Sequence, residues 1–402
     1  MVTLDTLKLV IEAQKNNMLL KGIGQQREAL SQLPDLDSYA LIVSGVRRCG
    51  KSTLLYQLLN DRYQHGLYIN FEDPRLFGFD LQDFARLDVA ISETKTNVLL
   101  FDEIQIIPNW ELYVRQKLDE SFKVIITGSN ASLLSKELGT KLTGRQITKE
   151  LFPFSYTEFI RSKDLKKTEN HVNEYMHIGG FPEYVKQNYD EILQYILDDI
   201  LIRDIAVRYS IKDVHKLQQL ALHLLSNVGK PVTANRLKSL IEAGSTNTVT
   251  EYLAFLEDSY LIQLIQKFDY SDRKQLINPR KVYAIDTGLV SVNSTSYSKD
   301  SGRLLENVVF NHLRRQYKRI NYFNQNGECD FVTFDKSEIQ DAVQVCYHLN
   351  QDNLQRELHG LVEAMKFFNL SKGTIVTYSQ TDHFVVDDRK INVIPAFKWL
   401  ME

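Results

Sequence analysis

Residues 45–52 read Gly-Val-Arg-Arg-Cys-Gly-Lys-Ser, and their setting limits the fold more than anything else in the chain. An apolar run, Tyr39-Ala-Leu-Ile-Val43, comes just before, and a helix-like stretch, Thr53-Leu-Leu-Tyr-Gln-Leu-Leu59, just after. A phosphate-cradling loop needs this strand–loop–helix context. Gly45 and Gly50 let the backbone curl so that successive N–H groups point inward as an anion nest. The helix that the loop opens adds unpaired N–H groups and a partial positive charge. Lys51 is then placed to reach the β- and γ-phosphates of a nucleotide, and Ser52 to set its hydroxyl on Mg²⁺. Arg48 and Cys49 complete the loop, and Thr53 is expected to pack rather than to bind metal.

Asn97-Val-Leu-Leu-Phe-Asp-Glu103 is an apolar strand that ends in two acids. Such a run reads as a buried, parallel-type strand, and its terminal carboxylates belong at the carboxyl edge of the sheet, where open α/β folds bind ligands. Asp102 fits the acid that coordinates Mg²⁺, directly or through water, and Glu103 the group that polarises the attacking water. A third strand, Phe122–Thr127, runs into Gly128-Ser129-Asn130. Thr127, Ser129 and Asn130 are candidates to sense the γ-phosphate or hold the catalytic water, Asn130 foremost. Ser129 or Asn130 could equally serve as an ordinary helix N-cap. A further strand, Gly66–Phe71, ends in Glu72-Asp73, read as solvated. Among the arginines near this set, Arg145 in Leu142-Thr-Gly-Arg145 is the candidate to contact nucleotide from a neighbouring subunit or from a lid.

The chain has 402 residues, 43% hydrophobic and 25% charged, with a net charge of −3, so it can hold two to four domains and carries no global basic field. Cys49, Cys329 and Cys346 form no metal-type pair; a reduced, cytoplasmic setting is the natural reading. The first residues look like an amphipathic helix rather than a signal peptide, and no apolar run reaches membrane-spanning length.

The expected organisation is an N-terminal helix (1–24), a P-loop core with a parallel sheet (25–150), a helical lid or connector (151–212), a winged-helix-like domain (213–290) and a C-terminal α/β domain (300–402). In the winged-helix-like part, helices at Leu217–Leu225, Thr233–Ile241 and Thr246–Glu257 precede strands at Tyr260–Phe268 and Lys281–Ile285. Its third helix has no Lys or Arg, so a protein-packing role is at least as well founded as DNA reading. Only Thr246, Asn247 and Thr250 could read bases. The last segment is expected to run helix, strand, strand, helix, strand. A nuclease of the restriction-enzyme-like class would want an acid on the first helix (Glu306), then Asp330, then acid-any-Lys. Gln344 and Cys346 stand at the last two positions, which argues against hydrolysis.

Taken together, these motifs resemble bacterial and archaeal AAA-type ATPases that carry a C-terminal domain of unknown function with a degenerate restriction-endonuclease-like fold. The carriers also include Leu151-Phe-Pro-Phe-Ser-Tyr-Thr-Glu-Phe159, Gly179-Gly-Phe-Pro-Glu183 and Gly327-Glu-Cys-Asp330. The resemblance implies ATP binding and hydrolysis, with Lys51 on phosphate, Ser52 and Asp102 on metal and Glu103 on water. Three functions compete: an ATP-hydrolysing machine that moves its C-terminal domains, with an oligomer open to it; an ATP-dependent DNA-binding regulator, supported by the cluster Arg314, Arg315, Lys318 and Arg319; and a nucleotide-binding switch for a protein partner, without turnover.

Overall fold

The computed structural model describes residues 1–130, 144–294 and 300–402. Leu142 and Thr143 of the Leu142–Arg145 motif lie outside them. The chain divides into two compact units, Met1–Phe152 and Pro153–Glu402.

The first unit is built on five parallel strands: β1 Ala40–Ser44, β2 Leu67–Asn70, β3 Val98–Asp102, β4 Lys123–Gly128 and β5 Gln146–Glu150. They lie in the order β2-β3-β4-β1-β5. β1 and β3 are buried at every position, as their unbroken apolar runs require of strands covered on both faces. The covering helices are α1 Leu4–Lys21, α2 Lys51–Asp61, α3 Phe84–Thr94 and α4 Trp110–Asp119. Leu7 and Val10 of α1 join Ile69, Phe101 and Trp110 in one apolar core, where Phe84 and Tyr113 stack at 3.9 Å. The functional consequence lies in the strand order. Because β4 is inserted between β1 and β3, the residues that end β4 stand between the Gly45–Ser52 loop and the Asp102-Glu103 pair.

The second unit opens with helices α5 Tyr156–Ser162, α6 Glu169–Ile178, α7 Pro182–Gln187 and α8 Asp190–Asp199. The last of these runs on as a wider, π-type stretch over Ile200–Val207. Gly179 and Gly180 make the turn expected between α6 and α7. A side chain on Gly180 would strike the Phe154 carbonyl at 2.2 Å, and Asp286 takes the Gly180 N–H at 2.6 Å.

Next come α9 Val214–Leu225, β6 Pro231–Val232, α10 Ala234–Leu240, α11 Thr246–Asp258, β7 Ile262–Gln266, α12 Asp272–Ile277 and β8 Arg280–Ala284, with β6-β8-β7 forming a small antiparallel sheet. Thr233 and Ser245 cap α10 and α11 through their hydroxyls, which is why the sequence marks these starts so clearly. α12 is capped in the same way by Ser271 but is only six residues long, and β6 only two, too short for a periodic pattern to show.

After α13 Thr287–Asn293 and α14 Ser301–Gln316 the chain forms a six-stranded mixed sheet, order β13-β14-β12-β11-β10-β9. Its strands are β9 Arg319–Asn324, β10 Glu328–Asp335, β11 Glu338–Cys346, β12 Lys372–Thr377, β13 Asp382–Val386 and β14 Arg389–Pro395, and α15 Leu354–Phe367 lies between β11 and β12. This corrects the three strands expected from sequence. β13 is a five-residue edge strand with no fully buried position, and its short Phe384-Val385-Val386 run shows no alternation of apolar and polar residues.

Candidate nucleotide-binding site

β1 ends at Ser44 and the next residues turn back over its end. Gly45 has φ +149°, and a Cβ there would lie 2.1 Å from the Leu151 carbonyl oxygen. Gly50 has φ +103°, and a Cβ there would press on the Arg27 guanidinium at 2.9 Å. Both positions therefore need glycine, one for close approach and one for backbone conformation as well. Arg48 adopts a left-handed φ of +61° between them. Cys49 is fully buried, and that burial pushes its thiol pKa up against the pull of Lys51 and Arg27. Its place is that of a small, buried filler of the loop.

Lys51 opens α2 and is buried. Its Nζ donates to the carbonyl oxygens of Gly45 at 3.1 Å and Val46 at 3.2 Å and lies 3.8 Å from the Glu103 carboxylate. Ser52 and Thr53, in the same first turn, are half-buried.

Asp102 is fully buried at the end of β3. Its carboxylate accepts the Thr127 hydroxyl on one oxygen and the Tyr68 phenol, at 2.7 Å, on the other. Glu103 leaves the strand with a left-handed φ of +54°, which brings its N–H to the Thr127 Oγ1 at 3.1 Å. Gln105 donates to its carboxylate. Burial raises the Glu103 pKa above the ordinary carboxylate range, Lys51 pulls it down, and Asp102 and Glu72 push it up again. Ser129 and Asn130 are buried just beyond β4, on the same carboxyl edge.

The structure thus gathers Lys51, Asp102, Glu103, Thr127 and Asn130 at one edge of the sheet. Arg145 is not among them within its own chain. It precedes β5, its carbonyl takes the Ala40 N–H at 3.2 Å, and its guanidinium pairs with Asp119 at 2.7 Å. Ala40 and Gln146 are register partners at the amino ends of β1 and β5, so Arg145 sits at the opposite edge, about one strand length of ~15 Å away.

Three functional neighbours escape sequence reasoning. Arg27 is buried; one guanidinium nitrogen donates to the Cys49 carbonyl at 2.7 Å and another to the Phe152 carbonyl at 2.6 Å. Gln57, polar on the buried face of α2, holds the Arg27 N–H at 3.0 Å. Tyr68 completes the Asp102 shell. Gln57 alone left a trace in the sequence, as an amide in an apolar helix face.

In the second unit Glu306 and Asp330 do meet, but around a lysine. Lys281 of β8 is buried, with Nζ 2.7 Å from Glu328, 2.9 Å from Asp330 and 3.3 Å from Glu306. Tyr283, two residues along β8, donates to Glu306 at 2.6 Å. Burial, with Asp330 adding to it, raises the Glu306 pKa to about 7. Gln344 accepts the Asp330 N–H at 3.1 Å and donates to Glu357 at 2.6 Å, a pairing that needs an amide. The Cys346 thiol is buried beside the His348 carbonyl, and burial lifts its pKa to about 11. Among the described residues no group of three or more His, Cys, Asp or Glu is disposed to hold a metal ion.

Residues 37–160 match the family model of the AAA domain, and residues 169–297 match that of a domain of unknown function, DUF8612. An uncharacterised protein of Methanocaldococcus jannaschii is 35% identical over 390 residues, which cover 89% of this chain and 87% of that one. An uncharacterised protein of Haemophilus influenzae is 31% identical, covering 93% of this chain and 97% of that one.

The chain belongs to this family of AAA-domain proteins.

The AAA-domain match spans the Gly45–Ser52 loop, the Asp102-Glu103 pair and β4. Among solved structures, AMPPCP-bound DnaA from Aquifex aeolicus aligns at 15% identity and a TM-score of 0.28, over 57% of this chain and 85% of that one. The assignment rests on the family match and on the strand order. No helix among the described residues is long and apolar enough to cross a membrane.

Proposed function

We propose that the chain is a Mg²⁺-dependent ATPase whose nucleotide state repositions its second unit. The observation that carries this reading is the Lys51 ammonium: buried, held by two loop carbonyls, and within 3.8 Å of Glu103. A cation so placed is poised to exchange weak neutral partners for phosphate oxygens. The donor set fits Mg²⁺ as well, being a hydroxyl and a carboxylate, hard oxygens both. Ser52 and Asp102 would hold that ion, which neutralises charge on the phosphates when bound. Thr127 and Tyr68 fix the Asp102 carboxylate. Glu103 orients the attacking water and takes its proton, and burial makes it a stronger base near neutral pH than an exposed glutamate. Asn130 is the polar group at the β4 terminus for the γ-phosphate. Arg145, remote from its own loop, would serve the site of a neighbouring copy in an oligomer.

Arg27 supports the coupling. It binds the loop at Cys49 and the segment that leaves β5 at Phe152, so a loop that moves on nucleotide binding pulls on the chain's exit from the unit. The helix–strand–helix–helix–strand–helix–strand order of residues 214–284, in which the short α12 separates the two wing strands β7 and β8, supports the winged-helix reading. Nuclease activity is not expected, because Lys281 fills the acidic chamber and Gln344 and Cys346 supply neither charge.

Phosphate release from ATP tests the proposal. Wild type should turn over, and Glu103→Gln should bind ATP while losing on the order of 10²–10⁴ in rate. Binding without turnover in both proteins would leave a nucleotide-dependent switch for a protein partner. Retained ATP affinity in Lys51→Ala would refute the site.

A further inference from the structure

The helix of the second unit that would be expected to read DNA, α11, has no Lys or Arg, yet a basic concavity lies elsewhere in the same group of elements. A cavity of about 290 Å³ opens between the end of α9, β6 and the start of α10. His223, Asn227, Lys230, Thr233, Arg236 and Arg303 supply its polar lining, and among the described residues no Asp or Glu takes part. Four of these six residues can carry positive charge, in a chain whose net charge is −3.

Their partners set this cluster apart from a solvated helix face. The Lys230 Nζ is bound to the neutral Asn227 amide oxygen at 2.9 Å. Neither Lys230 nor Arg236 has a carboxylate within ion-pair distance among the described residues, whereas Arg303 on the rim pairs with Asp300 at 2.9 Å. His223 is half-buried beside these two cations, and its pKa is lowered by burial first and then by Arg236 and Lys230. Beside two cations without a carboxylate partner stand the His223 imidazole, the Asn227 amide, which donates to the His223 carbonyl at 2.8 Å, and the Thr233 hydroxyl, which accepts the Arg236 N–H at 3.4 Å. That combination suits an oxyanion. By contrast, the basic cluster noted in the sequence is partly committed to the fold: Arg315 donates to the Pro153 carbonyl at 2.8 Å, and Arg319 lies 4.6 Å over the Phe334 ring.

We propose that this concavity is a phosphate site and that its ligand is a phosphodiester of a nucleic-acid backbone. Lys230 and Arg236 are both exposed among the described residues, so the site admits a phosphate that continues into a longer chain on both sides. Binding through it is independent of base sequence, because the cations reach backbone and α11 brings none to a groove. The inference stands apart from ATP hydrolysis; of the cavity's residues, Arg303 also lines the acidic chamber around Lys281.

The test uses the full chain and a fluorescent duplex of about twenty base pairs, titrated between about 50 mM and 200 mM salt. Lys230→Glu/Arg236→Glu is compared with the charge-matched control Lys372→Glu/Lys390→Glu, also at exposed positions. The proposal expects wild type and control to bind alike, with affinity that falls with salt and does not depend on sequence. The double variant should lose ten-fold or more at low salt, with the log–log salt slope reduced by about two. All three proteins should give the same circular dichroism and ATPase rate. No binding by wild type at low salt would overturn the proposal. So would an unchanged affinity and slope in the double variant, or an equal loss in the control. Inorganic phosphate is the second probe: saturation by phosphate at micromolar concentration without duplex binding would make this a small-anion site and sink the nucleic-acid assignment.

Discussion

Lys51 and Lys281 are both buried lysines within reach of carboxylates, and they have opposite meanings. The Lys281 ammonium is ringed by three carboxylates at 2.7–3.3 Å, so the fold itself satisfies its charge. The Lys51 ammonium rests on two peptide carbonyls, with one carboxylate at the margin of ion-pair range. The first lysine is consumed by structure. The second is desolvated by the fold yet only weakly compensated, which is the condition of a group awaiting an anion. Burial of a charge therefore does not mark function; the quality of its partners does.

The largest effect should fall on the consumed lysine. Lys281→Met leaves Glu306, Glu328 and Asp330 facing one another without a cation and should destabilise the second unit by about 3–5 kcal/mol in urea unfolding. ATP affinity should stay at the wild-type value. A loss under about 1 kcal/mol would show that the cluster is not the locked unit described.

Lys51→Ala should invert that pattern. Stability should change little, and ATP affinity should fall by about 3 kcal/mol, on the order of a hundred-fold in Kd by calorimetry. If the two lysine variants gave the same profile, the contrast would be broken.

pH sharpens it further. Glu306 has its pKa raised from an ordinary 4.5 to about 7, so its protonated form is favoured in the folded chain. Its contribution to stability is fully present below pH 4.5 and is lost as pH rises through 7. One such proton gives a slope of at most about 1.4 kcal/mol per pH unit across that window. Glu306→Gln should flatten it; an unchanged slope would assign the titration elsewhere.

The smallest effect is expected at Cys49. Its buried, raised-pKa thiol should react slowly with iodoacetamide, and mild peroxide should leave ATP binding intact. Rapid inactivation would show instead that the Cys49 thiol is accessible and reactive.

What could be read from sequence follows the locality of the physics. The Gly45–Ser52 loop and the Asp102-Glu103 pair were legible because each is a short motif at the end of an apolar strand, and the β1-to-β3 side of the sheet follows from such runs. Thr127, one of three polar candidates at the β4 terminus, gained its role of anchoring Asp102 only once β4 was seen between β1 and β3. Arg27 and Tyr68 act through contacts made across the fold, 22 and 34 residues along the chain from Cys49 and Asp102, and no local pattern announces them. In the sequence Lys281 is only the first residue of an expected wing strand, Lys281–Ile285. Glu306 and Asp330 were read as half of a metal site, and only the approach of β8 to α14 and β10 turned them into a lysine cage. Arg145 was noticed for its charge, while its place at the far edge of the sheet depends on the register of β5 with β1.

Arg27 carries a consequence that reaches past catalysis. Because one guanidinium ties the Cys49 carbonyl to the Phe152 carbonyl, the two ends are linked variables. If nucleotide binding shifts the exit segment, then tension applied to that segment must change nucleotide affinity by the same factor, since coupling free energies are reciprocal. A partner that grips the second unit would then be felt at the phosphate loop as a change in ATP occupancy, and the molecule would register load as well as perform work.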